Sequence, residues 1–352
     1  MVSVVMSVLN CARFLSEAVE SILEQSFREF EFIVIDDGST DGSGSILDSY
    51  GRRDPRVRVY HQQNRGMADS WNRGCGLAQG KYIARMDGDD IALPKRLMWQ
   101  VEFMEKHPEV AVLGGAVDVI NARGELLVTY PNPIGDREIK SALLRRCALW
   151  HPTVLMRKEV LVSVAGYRKA AVDAEDYDLW LRIADHFQLA NLEAVVLKYR
   201  VHPWQLSVRK CRQQALSMLA ARAAASSRRD GNPDPLESVG ETTPAVLASL
   251  GVTESAQQVI LARECLRWIT ILCRASEYSA ALNMVTDVFR SSDWKGAERR
   301  VISELRILAA RLYWHDRRFV RSALNAGHAV MKRPIILGRP LKPFLRWWNT
   351  VA

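Results

Sequence analysis

Up to Ile120, short runs of β-branched and aliphatic residues alternate with stretches whose apolar positions recur at helical spacing. Val2 to Leu9 is followed by Ala12 to Gln25, Phe30 to Ile35 by Ser43 to Tyr50, Val57 to Tyr60 by Ala68 to Ala78, and Tyr82 to Met86 by Pro94 to Lys106, with Val110 to Ile120 closing the series. Strands separated by helices of about 10 to 15 residues imply a parallel sheet covered on both faces, with ligands gathering at the C-terminal strand ends. A hairpin is expected around Ala122-Arg123-Gly124-Glu125 and a helix over Asp136 to Arg146. Further elements run to Tyr199-Arg200-Val201, where the sheet domain closes.

From Gln205 onward β-rich runs nearly vanish. Helical patterns take over at Ala215 to Ser227, Ala256 to Ala275, Ser279 to Arg290, Ala297 to Tyr313 and Phe319 to Met331. The pattern therefore predicts an α/β domain over residues 1–205, a mostly parallel sheet flanked by helices, and a helical region over residues 206–352. Ser226 to Pro244, rich in Ser, Gly, Asp and Pro, is expected to be a flexible connection.

At 352 residues the chain exceeds the usual size of one hydrophobic core, which agrees with two parts. Apolar residues make up 48% and charged residues 25%, an ordinary globular balance, and no stretch reaches the roughly 18 to 20 apolar residues of a membrane span. Met1 to Leu9 has no basic residues before its apolar run and reads as a buried strand rather than a signal peptide. Six scattered cysteines, with no CxxC pair and no Cys/His cluster, suit reduced thiols in the cytosol and argue against a zinc site. A net charge of +8 fits nucleic acid, an anionic membrane or phosphate-bearing substrates, and its position matters. Much of it lies beyond residue 205, while the sheet half is nearer balance.

The candidate chemistry sits in acids at strand ends. Phe32-Ile33-Val34-Ile35 runs into Asp36-Asp37-Gly38-Ser39-Thr40-Asp41-Gly42, and Tyr82-Ile83-Ala84-Arg85-Met86 runs into Asp87-Gly88-Asp89-Asp90. In a doubly wound sheet both clusters fall on the ligand-binding edge. Carboxylates crowded there repel one another, and such a group persists when a cation or a hydrogen-bonding ligand fills the gap. Asp87-Gly88-Asp89 suits Mg2+ or Mn2+ held by one or two carboxylates and completed by phosphate oxygens. Taken singly, each cluster is equally a turn former or a helix cap. The spacing lacks the Gly and Glu of an EF-hand, Gly42-Ser43-Gly44 lacks the third glycine of a dinucleotide fingerprint, and no P-loop occurs. Arg65 and Arg85 carry guanidinium groups that match phosphate oxygens. Arg85 lies in a strand that should be buried, so its charge needs a partner, either a carboxylate or a bound diphosphate.

Together these segments resemble glycosyltransferase family 2, a large group of GT-A enzymes, in order through residues 1–205. Val5-Met6-Ser7-Val8-Leu9-Asn10 is similar to the family's opening strand and turn, and Val34-Ile35-Asp36-Asp37-Gly38-Ser39-Thr40-Asp41 to its nucleotide-binding strand end. Asn64-Arg65-Gly66 through Asn72-Arg73-Gly74 resembles the next signature, and Gly80 through Asp90 the metal-binding DXD region. His151-Pro152-Thr153-Val154, Gly166-Tyr167-Arg168, Glu175 through Arg182, and Tyr199-Arg200-Val201-His202 are similar to segments of the acceptor half. Ser7 and Leu9 stand where the family often has Pro and Tyr; without the aromatic at Leu9 the identity of the nucleotide is open.

The resemblance implies a Rossmann-like nucleotide-binding half plus an acceptor half, and a nucleotide-sugar donor. It implies that Asp37 contacts the base, Asp87 the ribose side of the donor, and Asp89 a Mn2+ or Mg2+ ion on the diphosphate. Asn10 and Arg65 join the donor site. Asp176 becomes the catalytic base, with Glu175 and His151 on the acceptor side. His202 either completes metal or diphosphate binding or is a solvent-facing loop histidine, and His151 either lines the acceptor pocket or is satisfied by packing. Without the family, Glu175-Asp176 reads first as the acidic first turn of a helix. Sugar transfer needs a neutralised leaving diphosphate and a deprotonated acceptor hydroxyl, two roles for two carboxylates. Opposed placement of base and leaving group implies one in-line displacement with inversion. No role falls to Trp71.

The tail from Met331 to Trp348 interleaves cations with Ile336, Phe344, Leu345 and Trp347. That composition suits an anionic membrane surface, or aromatics packed back on the helices with cations facing water. No nucleic-acid-binding motif occurs, so nucleic acid is not expected as a partner. The expectation is an inverting glycosyltransferase acting on a saccharide or lipid-linked acceptor in cell-surface polysaccharide synthesis, cytoplasmic and peripheral on the inner membrane face. The alternatives are a non-catalytic scaffold of the same fold and a sugar nucleotidyltransferase, whose glycine-rich basic opening loop is missing near Asn10 to Phe14.

Overall fold

The apolar runs that open the chain become strands because they have no face for water. Every residue of β1 (Val2–Val8) except Ser7 is buried, and so is every residue of β2 (Phe30–Asp36). Between them α1 (Ala12–Leu23) turns Leu15, Ala18, Val19 and Ile22 inward and its charged side outward. Then come α2 (Ser43–Arg53), β3 (Val57–His61), α3 (Met67–Leu77) and β4 (Tyr82–Asp87), giving a parallel set in the order β3-β2-β1-β4. Central β1 pairs Val8 with Asp36 and Ser7 with Asp87. The two acidic clusters, remote in sequence, thus end on one edge, two strand spacings or about 10 Å apart. The computed structural model describes residues 1–291 and 298–332, in two compact units, Met1–Val252 and one starting at Thr253.

Past β4 the sheet becomes mixed. β5 (Ile91–Ala92), α4 (Arg96–Lys106), β6 (Val110–Ile120), β7 (Leu126–Tyr130), α5 (Asp136–Leu143), β8 (Leu155–Arg157), α6 (Lys158–Ser163), α7 (Glu175–Ala184) and β9 (Gln188–Arg200) follow. The order is β3-β2-β1-β4-β8-β6-β9-β5, with β7 hairpinned onto β6 where the sequence predicts it. β8 runs antiparallel to both β4 and β6, and β9 runs parallel to β6. The architecture is the α/β sheet flanked by helices that the pattern predicts. The antiparallel strand that joins its two halves, β8, is three residues long, too short for periodicity to show. β5 pairs with β9 through Ile91–Lys198 and Ala92–Leu197, which draws the turn after β4 onto the end of β9.

The sheet closes at Arg200, but the first unit continues past residue 205 to Val252. α8 (Leu206–Arg209), α9 (Cys211–Arg229) and α10 (Pro244–Ser249) belong to it, and α9 packs on α7 with Ala220, Ala221 and Ala224 buried. The stretch expected to be a flexible connection is instead tied down. Asp234, its side chain 4% exposed, pairs with Arg168 at 2.8 Å and Arg228 at 2.7 Å. Thr242 bonds the Ala170 carbonyl twice, through its backbone N–H at 3.1 Å and its hydroxyl at 2.6 Å. Ser, Asp and Pro mark turns, and turn chemistry says nothing of what the side chains reach.

The second unit holds α11 (Glu254–Arg274), α12 (Tyr278–Ser291), α13 (Arg299–His315) and α14 (Phe319–Lys332) among the described residues. Ile269, Leu272, Leu305 and Ala309 are buried in it, and the Thr253 hydroxyl caps α11 by accepting from the Ala256 N–H. No described helix is long and apolar enough to cross a membrane. The basic aromatic tail lies, from Arg333 on, outside the described residues.

Replacing Asp234 by Ala leaves Arg168 and Arg228 each short of one carboxylate in a largely buried setting. Urea unfolding is expected to show a loss of about 2 kcal/mol. An unchanged midpoint would mean that the 226–244 segment is a linker after all.

Candidate active site

At the first acidic cluster, Asp37 follows β2 with only 2% of its surface exposed. Its Oδ1 accepts from the Arg65 N–H at 2.9 Å and from Gln62 Nε2 at 2.7 Å, and its Oδ2 accepts from the Gly66 N–H at 3.0 Å. Asp37 therefore anchors the 62–66 loop against the end of β2. Gly38 allows the approach: its φ is +85°, and a Cβ there would stand 3.0 Å from the Asn64 nitrogen. Asn10, also at positive φ, accepts from the Thr40 N–H at 2.8 Å and donates its own N–H to Ser39 Oγ at 3.0 Å. The turns after β1, β2 and β3 form one hydrogen-bonded collar, with the Arg65 side chain exposed on its rim.

Beneath the second cluster lies Arg85, fully buried. It donates from Nη2 to Asp87 Oδ1 at 3.0 Å, from Nε to His151 Nε2 at 3.0 Å and from Nη1 to the Val5 carbonyl. Its guanidinium carbon sits 4.8 Å from the Trp71 ring centre. Of the partners expected for Arg85, the carboxylate is found in Asp87. His151 also lies 2.9 Å from the Tyr167 hydroxyl. Burial, with Arg85 beside it, holds its imidazole well below the ordinary range, so it is neutral. The structure packs His151 beneath Asp87 rather than on an open wall. Burial lifts Asp87 to about 6, with Arg85 opposing and Asp89 adding to the rise.

Asp89 Oδ2 stands 3.0 Å from His202 Nε2. Arg200 fixes this turn from below, donating its backbone N–H to Asp90 Oδ1 and its Nε to the Asp89 carbonyl, both at 2.8 Å, while its guanidinium lies 4.6 Å over Phe14 and pairs with Glu17. His202 is buried, which removes the solvent-facing alternative. Its Nδ1 and the Asp90 Oδ2 are buried without a hydrogen-bond partner among the described residues. Such atoms are rare in folded proteins, and the His202 nitrogen that faces Asp89 is the other one, Nε2. Carboxylate oxygens with one imidazole nitrogen form a donor set that Mn2+ or Mg2+ accepts. Among the described residues no three His, Cys, Asp or Glu side chains make a closed cage, so one or two protein ligands with phosphate and water is the coordination on offer.

Asp176, half-buried in the first turn of α7, accepts the Tyr177 N–H at 2.7 Å. Burial raises it to about 6; the Tyr177 N–H resists and the charge of Asp87 adds to the rise, so the two acids sense one another. Glu175 beside it is buried further and rises to about 8. Between those values Asp176 is an anion and Glu175 a neutral acid, an environment that sorts two adjacent carboxyls into two roles. α7 is held by Asp178, which takes a bidentate pair from Arg168 and a 2.9 Å bond from Arg182 Nε.

The family model described as glycosyl transferase family 2 matches residues 3–163. The O-antigen biosynthesis glycosyltransferase WbnJ of Escherichia coli is 32% identical over 208 residues, which span 57% of this chain and 80% of WbnJ. EpsE of Bacillus subtilis, named as a glycosyltransferase, is 36% identical over 208 residues, 56% of this chain and 72% of EpsE. The chain belongs to glycosyltransferase family 2. In fold it matches S. aureus TarS at a TM-score of 0.51 and 18% identity, over 96% of this chain and 92% of that one. It matches the mannosyltransferase PcManGT of Pyrobaculum calidifontis, solved with GDP-Man and Mn2+, at 0.50 and 17%, over 96% and 86%. Likenesses at such identity establish the GT-A fold.

In this family 2 chain, then, the structure sets Asp89 against His202, brings Asp176 near enough for Asp87 to perturb it, and ties together the turns that carry Asn10, Asp37 and Arg65. Sequence reasoning assigned no role to Arg200, Asn72 or Trp71. Asn72 pairs its amide with both backbone groups of Tyr167, at 2.8 and 2.9 Å, and so aims the phenol at His151. Arg200 was findable, since a cation ending an apolar strand needs a partner as Arg85 does. Trp71 shares a helix face with Ala68 and Cys75 and reads as core; nothing local signals the guanidinium above it.

An Asp37→Asn substitution sets an amide group against three N–H donors. Loosening of the 62–66 loop is expected to speed tryptic cleavage after Arg65 about tenfold. Cleavage at the parental rate would show that the loop does not depend on Asp37.

Proposed function

We propose that this glycosyltransferase works in the cytoplasm and moves a sugar, with inversion, from a nucleoside-diphosphate donor to a saccharide or lipid-linked acceptor in cell-surface polysaccharide synthesis. The reading is carried by one juxtaposition. Asp89 lies against His202 in the turn after β4, and Asp176, with its carboxyl near 6, stands in the first turn of α7 close enough to feel the charge of Asp87. The collar of Asn10, Asp37 and Arg65 receives the nucleotide, with Arg65 free to meet phosphate. Asp89 and His202, with Asp87 beside them, would hold Mn2+ or Mg2+, which supplies positive charge to the departing diphosphate. Asp176 takes the acceptor hydroxyl proton as that oxygen attacks the anomeric carbon. The bond to the diphosphate breaks on the opposite side, and configuration inverts. Neutral Glu175 can donate a hydrogen bond to the acceptor. Support for the donor class comes from fold neighbours solved with UDP-GlcNAc and with GDP-Man and Mn2+, and support for the polysaccharide setting from the name of WbnJ.

A screen of UDP-, GDP- and dTDP-sugars with Mn2+, reading nucleotide release, is expected to find one donor whose turnover stops on chelation. Asp89→Ala and Asp176→Asn should each lower kcat/KM by about 100-fold or more. Parental activity in either would remove the role assigned to that residue. Folded protein with no metal-dependent affinity for any donor would favour the scaffold reading.

The base must be ionised, and its raised value means activity is present above about pH 6 and lost below it. In the free enzyme kcat/KM should fall about tenfold per pH unit under that point. A profile flat down to pH 4.5 or so would exclude Asp176 as the base.

A further inference from the structure

Helix α14 carries its large apolar side chains on the side away from α13. Against α13 it turns Ser322 and Ala329, both buried; Ser322 Oγ donates to the Ala310 carbonyl at 2.8 Å and Ser303 Oγ to the Ala329 carbonyl at 3.1 Å. At 3.6 residues per turn, Val320, Leu324 and Met331 fall within roughly 40° of one another, and Ser322 and Ala329 lie roughly opposite. Those three are 76%, 58% and 70% exposed. Exposed Phe319 and Trp314, with ring centres 4.8 Å apart, widen the apolar surface at the start of the helix. Single exposed apolar residues are ordinary, but a stripe along one helix face is not.

Charge says what covers it. After Glu304 the chain has one acid, Asp316, against ten Lys and Arg. Arg317, Arg318 and Arg321 sit exposed around the N-terminal end of the stripe, and Asp316 is taken by Arg318 at 2.6 Å. A second copy of this face would bring the same excess of positive charge against it. A surface both apolar and anionic complements it.

We propose that α14 lies flat on an anionic lipid surface, with Val320, Leu324 and Met331 at the acyl boundary and the arginines on headgroup phosphates. The proposal goes beyond the transfer reading and does not rest on it, because the face binds lipid whether or not Asp89 and Asp176 act as assigned.

The test is flotation of the full chain with phosphatidylglycerol-containing vesicles and with pure phosphatidylcholine vesicles, at low and high salt. The protein is expected to float with the anionic vesicles at low salt and to stay behind with neutral ones. Val320→Ser with Leu324→Ser, which leaves the charge unchanged, should weaken partitioning about tenfold or more. Arg317→Gln with Arg321→Gln should abolish the preference for anionic lipid. Thermal melting checks that the variants are folded, as both pairs lie on the surface. Equal binding to neutral vesicles, no binding to either kind, or a serine variant that floats like the parent would overturn the proposal. So would a parental dimer that the serine variant splits in gel filtration without any vesicle binding, which would assign the face to a second copy.

Discussion

The structure depends on how negative charge is kept at the end of a buried strand. β4 ends at Asp87, with Asp89 and Asp90 in the turn that follows, and acids so close together are unstable unless positive charge lies beneath them. Three guanidinium groups supply it. Arg85 reaches Asp87 from within the strand, Arg200 holds Asp89 and Asp90 from the end of β9, and Arg96 at the start of α4 donates to the Arg85 carbonyl at 2.6 Å. Among the described residues Arg96 has no carboxylate in hydrogen-bond contact, and burial, with Arg85 near, brings it down to about 9. The cations are fixed inside the sheet; of the three acids Asp90 is buried with them, while Asp87 and Asp89 keep part of their surface exposed.

The same logic extends to the far side of the cleft. Asp178 lies in α7 two residues after Asp176, and the pairs Arg168–Asp178, Arg168–Asp234 and Arg228–Asp234 form a chain of alternating charge from α7 to the segment after α9. Asp185 continues it at the other end of α7, pairing with Arg228 at 2.8 Å. α7 is thereby clamped at both ends by residues beyond the family-model match at residue 163. This explains why the first unit reaches Val252. The helices after the sheet brace the element that carries the proposed base.

The second unit shows the complementary case, an amphipathic face without a partner in the described structure. In the sheet domain α1 and α7 bury their apolar stripes; among the described residues α14 instead leaves Val320, Leu324 and Met331 exposed. Helical periodicity locates such a helix equally well whichever side is covered, since the period is the same in both cases. Only the packing of Ser322 and Ala329 on α13 reveals which side is which.

What the chain determined by itself was local. The β-branched runs and helical spacings placed the parallel strands to within a residue or two, and strand–turn–acid order put Asp37, Asp87 and Asp89 on one edge before any coordinates, because the sense of a βαβ unit follows from chirality. Tertiary structure alone decided the rest. The three-residue β8, the tether at Asp234, the Arg85–His151 contact across 66 residues and the Arg200–Asp89 contact across 111 have no trace in periodicity. Hydrophobic patterning reports which side of an element is buried, a property of neighbours in sequence. A buried polar group instead takes its partner, and Asp176 its raised pKa, from whatever the fold brings within a few ångströms.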